Sequence, residues 1–292
     1  HGGRVIYVGC SRKKSACVSR ASDSAIHMNY FQRLKSLLEV MRTIASRYGR
    51  GSKILLWFRM IMTVLQPRLP RAMRASQRLD LAFEGKTFCI WMEDRTGLAV
   101  FEEVFVRGEY AVDIQDPNII IDVGANIGVA SIYFCLRYPN ARLYAIEPNP
   151  EVCKTLKKNL AAFPNVSIHQ CSLADTNGDA EFHMHPTSSI ASSLQSRARG
   201  EKIVSVLSKT LDTFMKEQHI QIVDLLKFDI EGAEDRMLRS IKDMKVVRCY
   251  IGEIHPDLMQ SSLEDITRLF SGFTVKLSPI AGKRYTLMAV IN

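Results

Sequence analysis

Four side chains able to take up or release protons follow two separate apolar stretches of this sequence. Asp229 and Glu231 end one stretch, and Glu253 and His255 end another. Residues two positions apart on a strand point to the same face, so each pair is expected to project from one side of a sheet. Because parallel strands bind ligands at their carboxyl ends, we expect one polar cluster that assists proton removal from a bound substrate.

His255 is the residue that we expect to act as the base. Its reference pKa of ~6.5 leaves the imidazole largely neutral at working pH, whereas an exposed carboxylate with a pKa near ~4 is a weak base. Glu253 would then orient the ring or hold a substrate hydroxyl. Two alternatives stay open, because the carboxylates and His255 could instead hold a divalent cation, and His255 could simply cap its strand before Pro256. We assign no metal ligand from the sequence.

The element that must position this cluster is the glycine-rich stretch IIIDVGANIG (119–128). Three β-branched apolar residues favour a strand buried on both faces, and the polar and glycine residues after them end it before a helix over 129–137. Gly124 and Gly128 lack a Cβ, so the backbone can turn sharply and approach a ligand at the helix N-terminus. Asn126 stands where a dinucleotide site requires glycine, which disfavours an NAD-dependent dehydrogenase.

An acidic residue follows the next predicted strand at the distance expected for a ribose-binding carboxylate. Glu147 comes directly after the strand 142–146 and lies 19 residues after Gly128. Nucleotide-binding folds place such a residue ~20 positions after the glycine-rich turn. Because the two oxygens of a carboxylate can each accept a hydrogen bond from a vicinal diol, we expect Glu147 to bind a ribose.

These motifs, in this order, resemble the FkbM family of class I S-adenosylmethionine-dependent methyltransferases. The resemblance covers roughly residues 101–292. It is carried by four stretches at the spacing of alternating strands and helices: IIIDVGANIG (119–128), AIEPNP (145–150), CSLAD (171–175) and LLKFDIEGAE (225–234).

The resemblance implies a binding site for S-adenosyl-L-methionine and O-methylation of a hydroxyl on a sugar or another polar metabolite. Asp122 would lie near the methionine amino end, Asp175 near the adenine, and Asp229 beside the methionine end and the acceptor. Tyr110 would close over the pocket, or it is an ordinary packed tyrosine. The residues assigned to the cofactor are Asp122, Gly124, Asn126, Gly128, Glu147, Asn149, Ala174, Asp175 and Asp229.

The alternation of strands and helices predicts an α/β fold with a Rossmann-like, doubly wound sheet. The resemblance implies seven mostly parallel strands with an antiparallel strand near the edge. We divide the chain into a basic, mainly helical extension over 1–80 and a methyltransferase domain over 81–292. A β-hairpin over 79–92 is expected to lead into this domain. An edge strand is predicted over 178–185, and a loop at the active-site edge over 187–202.

Positive charge is concentrated in the N-terminal extension. Residues 1–80 contain 16 Lys and Arg but only 3 Asp and Glu. Within them, 29–48 has the spacing of an amphipathic helix, and the apolar segment 54–65 is shorter than the ~20 residues a membrane-spanning helix needs. The extension either docks on an anionic membrane surface or packs as a helical cap on the domain or a partner.

Cysteine usage and the N-terminal sequence predict a cytoplasmic location, and peripheral membrane contact is one of the two roles open to the extension. Seven scattered cysteines favour a reducing compartment. The first 27 residues are polar and lack the apolar segment of a secretory signal.

Two other functions remain open at this point. The chain could be a non-catalytic nucleotide-binding module that recruits partners through its basic extension, although intact Asp122, Glu147 and Asp229 argue against lost activity. It could also methylate RNA, but no recognisable RNA-binding motif accompanies the basic residues, so we do not expect nucleic acid as a partner. The partner that we expect is a small-molecule hydroxyl acceptor.

Overall fold

The structure is a computed structural model that describes most of the predicted catalytic domain. The described residues are 77–92, 95–184, 192–194, 201–280 and 283–292. Both helical segments predicted in the N-terminal extension lie outside the described residues, and so does most of the predicted loop 187–202. None of the helices in the described stretches has the length and apolar character needed to cross a bilayer.

The described residues form twelve strands and six α-helices. The strands are β1 (Gln77–Phe83), β2 (Lys86–Met92), β3 (Ile119–Val123), β4 (Arg142–Ile146), β5 (Val166–His169), β6 (Ser172–Leu173), β7 (Gly178–Met184), β8 (Lys202–Lys209), β9 (Val223–Phe228), β10 (Val247–Ile254), β11 (Phe273–Pro279) and β12 (Tyr285–Ile291). The helices are α1 (Arg95–Phe101), α2 (Val129–Arg137), α3 (Pro150–Leu160), α4 (Leu211–Glu217), α5 (Glu234–Ser240) and α6 (Leu263–Arg268). A π-helical turn, Glu102–Val106, follows α1, and a 3-10 turn, Met244–Val246, precedes β10.

Seven strands form the central sheet in the order β11-β12-β10-β9-β3-β4-β5. Strands β10, β9, β3, β4 and β5 run parallel, and β12 is antiparallel to both of its neighbours. The prediction of a doubly wound, mostly parallel seven-stranded sheet is confirmed. The chain order reverses between β3 and β9, and open α/β sheets bind ligands at the carboxyl ends of strands at such a switch point.

The middle strands of this sheet are buried on both faces. All six residues of β9 are buried, as are four of the five residues of β3. Such burial explains why these strands are mainly apolar and do not alternate with polar residues, although Asp122, Asp224 and Lys227 interrupt them. Phe214, Phe228 and Tyr250 are among the largest side chains with almost no exposure, and they belong to one core that links the sheet to its helices.

Two elements were not predicted from the sequence: strand β8 and helix α4. Strand β8 pairs with β7 and β6 in a separate three-stranded sheet, and only two of its eight residues are buried. The stretch 166–172, which reads as one strand in the sequence, is divided between the two sheets, because β5 pairs with β4 whereas β6 pairs with β8. Strand β8 contains the apolar stretch IVSVL (203–207), but Ile203 and Leu207 are exposed, so its apolar residues do not mark a core strand.

The predicted hairpin is present as β1 and β2, which are joined by Glu84 and Gly85. Buried Asn159 on α3 holds β2 in place, since its side chain accepts from the Trp91 amide at 2.7 Å and donates to the Trp91 carbonyl at 3.1 Å. The side-chain amide of Asn159 also donates to the Ile127 carbonyl at 2.7 Å, and this contact connects the hairpin to the turn after β3. Strand β1 crosses the predicted domain boundary after residue 80, and the division of the chain itself stays a prediction.

Candidate active site

The turn after β3 brings the backbone of three strands together. The amides of Gly124 and Ala125 donate to the Ile146 carbonyl at 3.0 and 2.9 Å. Gly124 has φ +74°, and a Cβ at this position would lie 2.0 Å from the carbonyl oxygen of Asp229. Gly128 has φ +91° and begins α2, where a Cβ would lie 2.9 Å from Leu156. Both glycines are therefore required by the close approach of neighbouring elements.

Gly124→Ala is expected to destabilise the protein by ~2 kcal/mol, because the residue must keep a left-handed conformation and also displace the Asp229 backbone. Gly85→Ala is the matched control, since Gly85 has φ +79° but open space where its Cβ would lie. It should cost only ~1 kcal/mol. Urea unfolding of both variants measures the difference, and equal losses would show that the contact with Asp229 is unimportant.

A cavity of about 510 Å³ lies at the carboxyl ends of the parallel strands. Its wall includes seven of the residues singled out in the sequence: Gly124, Asn126, Glu147, Asn149, Asp229, Glu231 and Glu253. Five others lie behind the wall or away from it: Asp122, Gly128, Ala174, Asp175 and His255. The sequence motifs therefore converge on one cavity, although not every motif residue reaches it.

Glu147 lies on the cavity wall with both carboxylate oxygens held by backbone amides. Asn126 donates to one oxygen at 2.9 Å, and Asn149 donates to the other at 2.8 Å. Burial raises the pKa of Glu147 to about 7, even though these two amides lower it. A carboxylate oxygen accepts more than one hydrogen bond, so both oxygens keep the capacity to bind ligand hydroxyls. The Asn149 side chain also caps α3 and so fixes this corner.

Asp122 lies behind the cavity wall. Its side chain is completely buried, accepts a hydrogen bond from the Ser131 hydroxyl at 2.6 Å and pairs with the Lys227 ammonium at 3.0 Å. The same ammonium donates to the Gly124 carbonyl at 3.0 Å and reaches the cavity. Burial lowers the pKa of Lys227, but Asp122 and Asp229 together raise it by more. Asp122 therefore influences the cavity through a charged Lys227.

The two residues assigned to the adenine are directed elsewhere. Asp175 pairs with Arg236 at 2.6 Å, and this hydrogen bond lowers the Asp175 pKa. The Ala174 amide donates to the Lys209 carbonyl of β8. Three residues just before them line the cavity instead: Cys171, Ser172 and Leu173. The reason is that β6 enters the smaller sheet, which turns the following residues away from the cavity.

The polar cluster predicted at two strand ends is present. The His255 ring has Nδ1 2.8 Å from Glu234 and Nε2 3.6 Å from Glu253 and 3.8 Å from Glu231. Asp229, Glu231 and His255 can each present a ligand atom within 4.8 Å of the others. The carboxyl ends of β9 and β10 thus meet as the sequence indicated.

The premise for His255 as a neutral base does not hold. Burial lowers its pKa, but the hydrogen bond to Glu234 and the charges of Glu234, Asp229 and Glu231 outweigh burial and raise the pKa to about 9. The ring is therefore charged at neutral pH, and it lies behind the cavity wall. A protonated imidazole cannot accept a proton, so this environment argues against His255 as the base, and its catalytic role stays a prediction.

Several residues at the cavity were missed by the sequence analysis. Glu103 lies on the wall, and burial together with Glu109 raises its pKa to about 7. Arg284 also lies on the wall, where it pairs at 3.1 Å with Glu253, a residue that the sequence had indicated. Burial, Asp229 and Glu109 raise the pKa of Glu253 to about 8. Glu103 and Arg284 come from the segment after α1 and from the loop before β12, and neither carries a recognisable local motif.

Tyr110 is buried and lines the cavity, with its hydroxyl 3.4 Å from Glu253. This position fits both interpretations made from the sequence, a residue that closes the pocket and a packed tyrosine. Burial and the charge of Asp229 raise the Tyr110 pKa well above its usual range. The hydroxyl therefore stays protonated and serves as a hydrogen-bond donor.

Acidic groups outnumber basic groups on and directly behind this wall. The acidic groups are Glu103, Glu109, Asp122, Glu147, Glu151, Asp229, Glu231, Glu234 and Glu253, and the basic groups are Lys227, Arg284 and His255. Opposite charges attract strongly where water is excluded. The raised pKa values of Glu103, Glu147 and Glu253, about 7, 7 and 8, leave these groups only partly ionised at neutral pH. A ligand with positive charge in contact with the wall would stabilise their ionised form.

Residues 122–277 match the family model described as the methyltransferase FkbM domain. Methyltransferase 1 of Beauveria bassiana is 28% identical over 166 residues, 49% of this chain and 67% of that protein. Hexuronic acid methyltransferase AglP of Haloferax volcanii is 26% identical, over 57% of this chain and 69% of that protein. The 31-O-demethyl-FK506 methyltransferase FkbM of Streptomyces tacrolimicus is 24% identical, over 60% of this chain and 81% of that protein.

A solved structure is also similar, the crystal structure of methyltransferase FkbM from Methylobacillus flagellatus. It is 14% identical with a TM-score of 0.43, and the alignment covers 88% of this chain but only 60% of that chain.

Proposed function

The chain belongs to the methyltransferase FkbM family, and on that premise we propose that it uses S-adenosyl-L-methionine to methylate a hydroxyl of a sugar or another polar metabolite. One observation carries the proposal. Glu147 presents its carboxylate to the cavity directly beside the glycine-rich turn, held between the amides of Asn126 and Asn149. This is the position in which a nucleotide-binding sheet holds a ribose diol.

The cavity fits S-adenosylmethionine in size and in charge. Its volume of about 510 Å³ falls in the range of ligand sites, which is ~300–1,000 Å³. When bound, this molecule supplies a methyl group activated on a positively charged sulfonium. The excess of carboxylates on the wall, Asp229 among them, would stabilise such a cation.

The residues that line the cavity fall into two groups, those that would bind the methyl donor and those that would bind the acceptor. Glu147 would hold the ribose hydroxyls, and Lys227, fixed by Asp122, would lie near the amino-acid end. Glu253 lines the cavity beside Arg284 and Tyr110, and these three groups offer both donors and acceptors to a polyhydroxylated acceptor. Glu253 takes the place of His255 as the group in reach of the acceptor's proton.

The names of two relatives bear on the acceptor. One refers to a 31-O-demethyl substrate, which supports a hydroxyl, and the other to a hexuronic acid, which supports an acidic sugar. Arg284, whose guanidinium is partly exposed at the cavity, could also contact a carboxylate of an acidic sugar.

The proposal is tested by binding and then by transfer. Calorimetric titration should detect binding of S-adenosylmethionine and of its demethylated product, and none of NADH. Incubation with the methyl-labelled donor and a panel of sugars and uronic acids should then label a hydroxyl. Binding of NADH without affinity for the methyl donor would refute the proposal, and transfer to RNA alone would refute the acceptor class.

Affinity for S-adenosylmethionine is expected to fall as the pH falls through about 7. The pKa of Glu147 is raised to about 7, and only the ionised carboxylate accepts hydrogen bonds through both oxygens. Binding should therefore be strongest above this pH and weaken by at most ~10-fold per pH unit below it. Calorimetry from pH 5 to pH 8 measures the trend. Glu147→Gln should remove the contribution of Glu147 to the change of affinity with pH. If the pH dependence is the same in the variant, groups other than Glu147 cause it.

A further inference from the structure

One corner of the cavity has the residue types and the spacing of a metal site. Asp229 and Glu231 follow β9, and His255 follows the adjacent strand β10. One imidazole nitrogen and two carboxylate oxygens from these residues lie within 4.8 Å of one another. Asp229 and Glu231 line the cavity, so a group bound here would be in contact with the substrate space.

Carboxylates alone would not identify a site, but two buried polar atoms point into this corner. His255 is only 2% exposed, and its Nε2 atom has no hydrogen-bond partner among the described residues. Its distances of 3.6 and 3.8 Å to Glu253 and Glu231 are too long for hydrogen bonds. The Oδ1 atom of Asp229 is likewise buried without a partner in the described part of the chain. Buried polar atoms are rarely left unpaired, so a missing ligand is the simplest explanation.

The other side of the imidazole is held as in known metal sites. The His255 Nδ1 atom lies 2.8 Å from the carboxylate of Glu234, which is completely buried. Both oxygens of Glu234 in turn accept from the Gly232 amide, at 3.0 and 2.9 Å. Metal-binding histidines commonly donate their second ring nitrogen to such a carboxylate, which fixes the ring and directs the free nitrogen at the ion.

We propose that Asp229, Glu231 and His255 bind a divalent transition-metal ion such as Mn²⁺ at the acceptor end of the cavity. One nitrogen and two oxygen ligands suit Mn²⁺ better than Ca²⁺ or Mg²⁺, which prefer oxygen alone. The ion replaces the proton on Nε2. Three protein ligands leave coordination positions open to water or to a hydroxyl of the acceptor.

A second group of carboxylates is a less suitable site. Glu103, Glu109 and Glu253 also approach one another within 4.8 Å. However, Glu253 is paired with Arg284 at 3.1 Å, and Glu109 accepts from the Thr286 hydroxyl at 3.2 Å. These carboxylates already have partners, and the group contains no imidazole.

The role of the ion, unlike its binding, rests on the proposed function. A hydroxyl oxygen bound to the ion becomes more acidic. The O–H bond would break with its electron pair staying on oxygen, and the proton would pass to the ionised form of Glu253, whose share grows as the pH approaches its pKa of about 8. The O–CH3 bond would form as the S–CH3 bond of the donor breaks, and the electron pair of that bond would stay on sulfur as a neutral thioether. His255 would lose its Nε2 proton when the ion binds, and the neutral ring thereby acquires a function as a ligand.

Binding is tested on the full chain without methyl donor or acceptor. After chelation and removal of the chelator, Mn²⁺ is titrated and free Mn²⁺ is followed by electron paramagnetic resonance. One saturable ion per chain is expected. Glu231→Gln and His255→Gln should each weaken binding by ~10- to 100-fold, and Glu234→Gln by ~10-fold. Asp175→Asn is the matched control, because it removes a carboxylate that is bound to Arg236 outside the cavity.

Three outcomes would overturn the proposal. They are the absence of saturable Mn²⁺ binding, unchanged affinity in Glu231→Gln, and loss of binding in Glu109→Gln with retention in Glu231→Gln. Thermal unfolding checks each variant, and the half-buried Glu231 keeps the test decisive if the buried His255 cannot be replaced. Calorimetry with S-adenosylmethionine is performed separately, so failure of the metal site and failure of the proposed function give different results.

Discussion

Lys227→Met is expected to lower the free energy of unfolding by ~3–5 kcal/mol, since it leaves a buried carboxylate without its counter-charge. Asp122 is completely buried and Lys227 is 3% exposed, and the two charged groups lie 3.0 Å apart. The substitution also removes the hydrogen bond to the Gly124 carbonyl. Urea unfolding followed by circular dichroism measures the loss.

A surface ion pair provides the control for this measurement. Arg268 lies 2.6 Å from Glu264, but the two side chains are 67% and 75% exposed. Arg268→Gln should therefore cost less than ~1 kcal/mol. Adding Asp122→Asn to Lys227→Met removes the unpaired charge and should restore much of the stability. A loss below ~1 kcal/mol in Lys227→Met would show that Asp122 is neutral in the folded protein.

The pairing of Asp122 with Lys227 is a contact that could not be predicted from the sequence. Each residue lies in a recognisable strand, and the two-residue spacing sets Lys227 on the same face as Asp229. Their contact arises because β3 and β9 are adjacent in a register that sets Asp122 opposite Lys227. No local pattern encodes the register between strands so far apart in the chain, whereas the apolar runs encode the strands themselves.

The same difference between local patterns and contacts made only in the folded chain explains why the position of His255 was predicted and its charge was not. Its position at a strand end followed from the two-residue spacing, and the structure places it beside Glu253 as expected. Its charge depends on Glu234, Asp229 and Glu231, which converge only in the folded chain. A reference pKa assigned to an isolated residue could not include these neighbours. Sequence motifs therefore located the cluster but did not determine its protonation.

Strand β8 illustrates a different limit. Its residues alternate weakly and are mostly exposed, because the strand belongs to a small sheet outside the core. Periodicity identifies elements that bury a face, and it loses contrast where little is buried. The shift of the adenine-side wall from Asp175 to the residues before it follows from this missed sheet.

Glu147→Ala is expected to weaken binding of S-adenosylmethionine by ~10- to 100-fold, because each charge-assisted hydrogen bond to a ribose hydroxyl contributes ~1.5–3 kcal/mol. Glu147→Gln should have an intermediate effect, since the amide keeps one acceptor oxygen. Calorimetry above pH 7, where the carboxylate is ionised, gives the three affinities.

The control for Glu147 is Glu181→Gln, which changes an exposed carboxylate on β7 that does not line the cavity. Its affinity for the methyl donor should equal that of the unmodified protein.

The contacts of Glu147 with Asn126 and Asn149 make one further measurement necessary, because loss of these amide contacts could disturb the turn itself. Binding of methionine alone, which lacks the ribose, separates the two causes. If methionine binding falls as far as S-adenosylmethionine binding, then Glu147 acts by holding the turn and not by binding the ribose.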